Sequence, residues 1–282
     1  MSTIGPTETG TLVTADGIHL HTQRWMPPSG VDGIVLLVHG YGEHCGRYGH
    51  VARTFTDVGA AVCAYDQRGY GRSDGRRAYV DSFEHYVSDL KKMVEHTRST
   101  TPDRPLFLFG HSMGGLVVLK YVLEYQPTVA GLLLSAPAIE INPNLAPVLR
   151  HLAKVVSWIA PTLPTTASPE GAISRDPEVV AEAKNDPLNY HGRVLARTGA
   201  EMLRAGDDVQ SRLEHINDPF LVIHGTADKL ASPRWSEKLY EEAASSDKTL
   251  TLYEGLYHET FNEPEQDRVL ADLGTWLQDH LR

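Results

Sequence analysis

Cysteine is scarce in this 282-residue chain, which has only Cys45 and Cys63. Neither has CxxC spacing or histidine neighbours arranged as a zinc site, which argues against a disulfide framework or a structural metal. Cys63 reads as a thiol in a strand core, and Cys45 as an accessible one in a polar loop. Positive charge is also short: 26 Lys and Arg against 36 Asp and Glu leave a formal net charge of -10. No nucleic acid partner, and no anionic membrane held by charge, is expected of such a balance. No apolar run approaches a membrane span, and the opening MSTIGPTETGTLVTADG lacks the basic start and apolar stretch of a signal peptide. The expected address is the cytoplasm by default, with peripheral attachment to a membrane or cell envelope left open. Internal repeats and low-complexity tracts are missing. Fourteen histidines are scattered without an HExxH or similar motif, so no metal and no cofactor is expected.

What is present is a change of rhythm along the chain. Polar and apolar residues alternate from Ile18 to Trp25 after the turn-like Ala15-Asp16-Gly17, the pattern of an antiparallel hairpin with one wet face. Short continuous apolar runs follow at Ile34 to Val38, Ala60 to Tyr65, Leu106 to Phe109, Leu132 to Leu134 and Phe220 to Ile223. Strands covered on both faces read this way, as in a parallel sheet between helices. Helix-period segments separate them. From about Ser82 to Arg98, Phe83, Tyr86, Val87, Leu90 and Val94 share one face, Lys91, Lys92 and Glu95 another, and Asp81 with Glu84 resembles a capping box. Pro264 to Leu281 repeats the pattern with Val269, Leu270, Leu273, Trp276 and Leu277. The alternation predicts an α/β fold with right-handed crossovers.

That alternation stops between about Ile139 and Ile216, where proline-rich pieces separate amphipathic helices and no strand-like run appears. The expected organisation is a core of residues 1–138 and 217–282 with a helical insertion at 139–216. The insertion's first helix, Leu145 to Ala160, carries Leu145, Val148, Leu149, Leu152, Val155, Val156 and Ile159 on one stripe, with Arg150 and Lys154 elsewhere. The pattern favours packing of the stripe on the main domain; the alternative turns part of it outward to a lipid surface.

Between the run Leu106 to Phe109 and the helical Leu116 to Tyr121 lies Gly110-His111-Ser112-Met113-Gly114-Gly115. A strand turning sharply into a helix strains its apex and crowds its neighbours, and Gly110 and Gly114 remove the side chains that would collide. Ser112 is then presented at the strand's C-terminal end, beside backbone N–H groups of a helix start. Serine is a poor nucleophile at its free pKa and needs a histidine base and an orienting carboxylate. Asp228 falls just past the strand Phe220 to Ile223, and His258 falls in the loop after the strand-like Thr249 to Tyr253. Asp218 precedes its strand and lies at the wrong end; His224 is expected to pack or bond locally. An oxyanion needs preorganised donors. The backbone N–H groups of Met113 and of Tyr41, within His39-Gly40-Tyr41-Gly42, occupy the positions this topology uses.

Together HGYGEHCGRY (His39 to Tyr48), DQRGYGRSDG (Asp66 to Gly75), GHSMGG, GTADKL (Gly225 to Leu230) and YEGLYHE (Tyr253 to Glu259) resemble the monoacylglycerol lipase family of the α/β-hydrolase superfamily. The resemblance covers nearly the whole chain, including Asn185-Asp186-Pro187-Leu188, which is similar to that family's cap. It implies an α/β-hydrolase fold: a mostly parallel eight-stranded sheet with helices on both faces and an inserted helical cap. It further implies Ser112 as nucleophile with Asp228 and His258, the Tyr41 and Met113 amides as oxyanion hole, and a small lipid substrate, a monoacylglycerol. Transient membrane or micelle contact would run through the cap. Glu43, Arg47 and His111 would lie near the alcohol end of the pocket; the other reading of Glu43 and Arg47 is an ion pair that holds the loop. Tyr41 departs from familiar members, which carry a small residue there. On the same triad the alternatives are a lysophospholipase, a general carboxylesterase or a proline-type aminopeptidase, and from another class a non-catalytic lipid-binding protein. A dehalogenase or epoxide hydrolase would have an aspartate in place of Ser112. The sequence does not specify an oligomeric state.

Overall fold

The computed structural model describes residues 4–141, 155–166 and 171–281. Strands β1 (Glu8–Val13) and β2 (His19–Trp25) form the antiparallel hairpin. Strands β3 (Gly33–Val38), β4 (Ala60–Tyr65), β5 (Leu106–His111), β6 (Gly131–Ser135), β7 (Phe220–Gly225) and β8 (Lys248–Tyr253) run parallel, giving one eight-stranded sheet of order β1-β2-β4-β3-β5-β6-β7-β8. The apolar runs are continuous because both faces are covered. Along β3, Ile34, Leu36 and Val38 join one buried cluster with helix α2 (Glu84–Thr100) and helix α3 (Met113–Tyr125). Val35 and Leu37 point the other way, into a second cluster with helix α1 (Gly49–Asp57).

Further helices are α4 (Pro177–Asn185), α5 (Ala196–Gln210), α6 (Pro233–Glu242) and α7 (Gln266–His280). Val269, Leu270, Leu273, Trp276 and Leu277 of α7 are buried on the α1 side, as their period anticipated. On α2 the apolar face is buried as expected, but the capping box does not form. The helix starts one residue after Phe83 with no side-chain cap; Asp81 reaches His85 instead, at 3.1 Å, and the Glu84 amide meets Ser82 Oγ at 3.4 Å. A carboxylate one turn from a histidine on the same face has a side-chain competitor for its lone pairs.

Cys45 also departs from expectation. It is fully buried, its amide donates to Asp66 Oδ1 at 2.9 Å, and burial pushes its thiol well above the usual range. The loop is polar in sequence because its polar groups satisfy one another, not because it faces water. Cys63 lies in β4 and packs against the core while remaining partly exposed.

Between β6 and β7 the described residues contain helices and two isolated bridges, Ile141 with Ala231 and Pro164 with Leu195, but no strand. Helix α5 fastens to the sheet side: Thr198 Oγ1 accepts the Val80 amide at 3.1 Å, and Glu201 accepts that of Phe83 at 3.3 Å. Of the anticipated stripe, Leu145, Val148, Leu149 and Leu152, with Arg150 and Lys154, lie outside the described residues. Residues 155–159 are helical, and Val155, Trp158 and Ile159 are exposed at 57%, 70% and 81%. This end faces outward, while Val156 turns toward an internal cavity.

The order of strands reverses about β3, whose neighbours β4 and β5 follow it in sequence on opposite sides. Ligands of such sheets bind at the carboxyl ends of the strands flanking that point. Here those ends are His39-Gly40 after β3 and Ser112 after β5. A side chain at Gly114 would collide with the Val38 and His39 carbonyls, and one at Gly110 with the Gly114 backbone. Gly114→Ala should therefore destabilise the chain by at least about 2 kcal/mol in urea unfolding, because backbone rather than a flexible side chain must move. An unchanged midpoint would show that the turn has room.

Candidate active site

Ser112 stands alone between the last residue of β5 and the first of α3, at φ 52° and ψ -119°. A non-glycine residue holds such a conformation only where its surroundings enforce it. Here the Ser112 amide donates to the Ser135 carbonyl at 2.9 Å, and its own carbonyl accepts from Leu116 and Ala138 at 3.1 and 3.0 Å. The backbone is pinned on both sides, while the side chain lines a cavity of ≈1030 Å³. His111, buried just before it, directs Nδ1 to Ser135 at 3.2 Å and sets its ring 4.8 Å from that of His258. Burial, with His258 beside it, lowers its pKa to about 4.

The turn after β7 and the loop after β8 bring Asp228 and His258 together. His258 Nδ1–H donates to Asp228 Oδ2 at 2.6 Å, and Nε2 of His224 lies 3.0 Å from the same oxygen. Asp228 Oδ1 accepts the Leu230 and Ala231 amides at 2.7 and 3.2 Å. Burial alone would raise this carboxyl, but His258, His224 and their hydrogen bonds hold it well below the carboxylate range. On His258, burial works against charge and is outweighed by Asp228, with Glu259 and Glu43 adding, so its pKa is raised. His258 lines the same cavity as Ser112. His224 bonds locally, as its place in the sequence suggested, yet its partner is the carboxylate that binds His258. The i, i+4 spacing of His224 and Asp228 across a strand-end turn was the available signal.

The loop after β3 approaches from the other side. A side chain at Gly40 would come within 3.2 Å of Ser112 Cβ, so this backbone lies against the serine. Tyr41 lines the cavity and sets its ring edge-on to Tyr70 and Tyr190, at 5.6 and 6.2 Å between centroids. The Met113 amide, at the first position of α3, is among those a helix leaves without an internal acceptor. Glu43 and Arg47 also line the cavity, but protein groups occupy their polar atoms. Glu43 accepts from the Gly40 amide and Tyr48 hydroxyl at 2.6 Å each and from Arg47 at 2.9 Å. Arg47 grips Glu259 through two 2.8 Å bonds, and Asn262 donates to Glu259 at 2.7 Å. Glu259 closes the YEGLYHE stretch but has no role assigned from sequence; an acid beside a candidate catalytic histidine carries no signal of its own.

The far wall comes from the β6–β7 segment, through apolar residues such as Val156, Leu163, Val180, Met202 and Leu203. Three contacts join it to the loop after β3 and its surroundings. The Tyr190 amide donates to the Gly42 carbonyl at 2.8 Å, Arg77 to that of Leu188 at 2.5 Å, and His44 Nε2 lies 2.8 Å from Asp186 Oδ2. His44 Nδ1 accepts the Gly46 amide, which puts the proton on Nε2. Asn185 to Leu188 is thus the run that meets the loop. Among the described residues, no cluster of three His, Cys, Asp or Glu could hold a metal ion, and no helix is long and apolar enough to cross a membrane.

The sheet order, the strained serine between β5 and α3, and an acid and histidine after β7 and β8 define an α/β-hydrolase. Residues 29–265 match the family described as serine aminopeptidase, S33. The chain is 39% identical over 265 residues to the monoacylglycerol lipase of Mycolicibacterium smegmatis, covering 94% of this chain and 95% of that one. It is 35% identical over 269 residues to the monoglyceride lipase of Rattus norvegicus, covering 94% and 89%. Among solved structures, Paleococcus ferrophilus monoacylglycerol lipase superposes with a TM-score of 0.84 at 32% identity, over 93% of this chain and 99% of that one. The chain belongs to the monoacylglycerol lipase family of serine hydrolases.

The Glu259 carboxyl would be raised by burial but is held well below its ordinary value near 4.5 by Arg47. Its contribution to stability is therefore present above that value and lost as the pH falls through the depressed one. Glu259→Gln should cost about 3 kcal/mol at neutral pH in urea unfolding, with the gap to the parent closing in acid below the ordinary value. A gap that stayed constant down to pH 3 would rule out this linkage.

Proposed function

We propose that the chain hydrolyses monoacylglycerols to glycerol and free fatty acid through an acyl-enzyme on Ser112, with His258 as general base and Asp228 as its orienting partner. The observation that carries this reading is that Ser112, held at a strained apex, shares one cavity with His258, whose Nδ1 is 2.6 Å from a buried Asp228. Ser112 Oγ attacks the ester carbonyl carbon as its proton passes to His258 Nε2. The Tyr41 and Met113 amides receive the oxyanion. His258 then protonates the departing glycerol oxygen as the ester C–O bond breaks; water next attacks the acyl carbonyl while His258 takes its proton, and His258 returns that proton to Ser112 Oγ as the acyl–serine bond breaks and the fatty acid leaves. Asp228, ionised throughout, stabilises the imidazolium between these transfers.

Residues 139–216 act on this reading as a lid. Its apolar inner wall accepts a single acyl tail out of water. Its outward Val155, Trp158 and Ile159 meet the micelle or membrane that stores the substrate. Glu43 and Arg47 brace the loop that carries the Tyr41 amide, and act on the glycerol end through the shape they give it.

Ser112→Ala should abolish labelling by a fluorophosphonate probe and lower turnover by at least about 10⁴-fold; labelling that survives would remove the serine from this role. Offered monoolein, a lysophospholipid and a peptide amide, the purified protein should prefer monoolein, and preference for either other substrate would overturn the substrate assignment. Replacing Trp158 and Ile159 together by serine should weaken association with lipid vesicles roughly tenfold or more and leave hydrolysis of a soluble short-chain ester unchanged. Equal loss on both would mean the two residues hold the fold instead.

A further inference from the structure

We infer that His224 is a positioning residue for the reaction: its Nε2–H holds the Asp228 carboxylate in place on the oxygen that receives His258. The inference rests on the reading of Ser112, His258 and Asp228 given above and adds a member that neither touches substrate nor exchanges its proton.

His224 is the penultimate residue of β7 and is completely buried, as is the Asp228 side chain. An ionised carboxylate only accepts hydrogen bonds, so the His224 nitrogen 3.0 Å from Oδ2 is the protonated one. The other ring nitrogen, Nδ1, lies 2.7 Å from Ser236 Oγ, on α6 and likewise buried. The Ser236 hydroxyl then donates to Nδ1, and donors run in series from Ser236 to His224 to Asp228, where His258 meets them from the cavity side. Two elements, β7 and α6, thus clamp the imidazole from behind, and no water is needed to complete the chain.

Two consequences follow for the acid. With Oδ1 held by the Leu230 and Ala231 amides and Oδ2 by two histidines, the carboxylate cannot turn away from His258. The second donor on Oδ2 also draws charge from the atom that attracts the His258 proton, so the attraction is moderated and Asp228 remains ionised as His258 becomes cationic. Other titratable groups face His258: the His111 ring from β5, Glu259 next to it in the chain, and Glu43 after β3, the two glutamates being paired with Arg47. The described groups bonded to Oδ2 are His258 and His224, so a change at His224 acts on that pair directly.

The test replaces His224 by Phe, which fills the space without donating, and by Gln, whose amide can donate to Oδ2. On a soluble short-chain ester, His224→Phe should move the acid limb of kcat/KM up by about half a pH unit and lower kcat roughly tenfold. His224→Gln should return the limb to the parent position. An unmoved limb in a folded, fluorophosphonate-labelled His224→Phe protein would overturn the inference while leaving the role of Ser112 intact. Labelling that does not depend on Ser112 would instead defeat the catalytic reading itself. A second measurement uses the parent protein: imidazole proton–nitrogen correlation spectra should show His224 as the Nε2–H tautomer, and an Nδ1–H tautomer would overturn the inference without any variant.

Discussion

The close approach of the turn between β5 and α3 to the ends of neighbouring strands is the constraint on which the site depends. Gly114 fits under the Val38 and His39 carbonyls with no space for a methyl group, and the Ser112 backbone is tied to the end of β6, to Ala138 beyond it and to the first turn of α3. These ties set φ of Ser112 at 52°, a conformation the isolated residue disfavours. The strain is small beside the apolar burial of the central strands on both faces of the sheet, which makes the position of the turn rigid. A side chain placed there is displayed with little freedom, and the loop after β3 is brought against it by the same contact.

Around this apolar frame the site is built from buried carboxylates, each surrounded by donors. Asp228 receives two histidines and two amides. Glu43 receives an amide, a phenol and a guanidinium, and Glu259 a two-pronged guanidinium and an amide side chain. An unpaired ion in such surroundings costs several kcal/mol, and a dense donor set offsets the cost while fixing orientation. The arrangement divides the labour: Asp228 faces the histidine of the cavity, whereas Glu43 and Glu259 spend their charge on Arg47 and so stiffen the walls. His111, whose pKa is lowered to about 4, places an uncharged ring beside His258 at neutral pH and does not compete for its proton.

Legibility in the sequence followed the range of the interaction. The parallel strands were readable because each buries both faces, and all the anticipated runs coincide with strands of the sheet. Ser112, Asp228 and His258 are candidates because strand ends carry the chemistry of this topology, and the structure brings them together at one cavity. Cys45 departs from expectation because its sequence neighbours are polar, whereas it packs in an apolar cluster and its amide is satisfied by Asp66, 21 residues away. The capping box does not form because the helix starts after Phe83, two residues past Asp81, whose carboxylate pairs with His85 instead. The contact of His44 with Asp186 spans 142 residues, and Glu259 with Arg47 spans 212. No local pattern encodes either pair.

Those distant contacts give the β6–β7 segment more than a covering part. The loop bearing Tyr41 is braced internally by Glu43, which accepts from Gly40 and Tyr48, is packed on the sheet through the Tyr48 ring against Phe109 of β5, and is joined on the other side to residues 186–190. Tyr41 itself lies between Tyr70 on the core and Tyr190 on the segment. Its bulk, which at first suggests obstruction, instead supplies area on both sides of the boundary, while the backbone of the preceding Gly40 lies against Ser112. A displacement of the segment large enough to open the cavity near Tyr190 would have to break the Tyr190–Gly42 hydrogen bond or carry that loop with it. At the opposite part of the wall Val156 faces inward, while Val155, Trp158 and Ile159 face out.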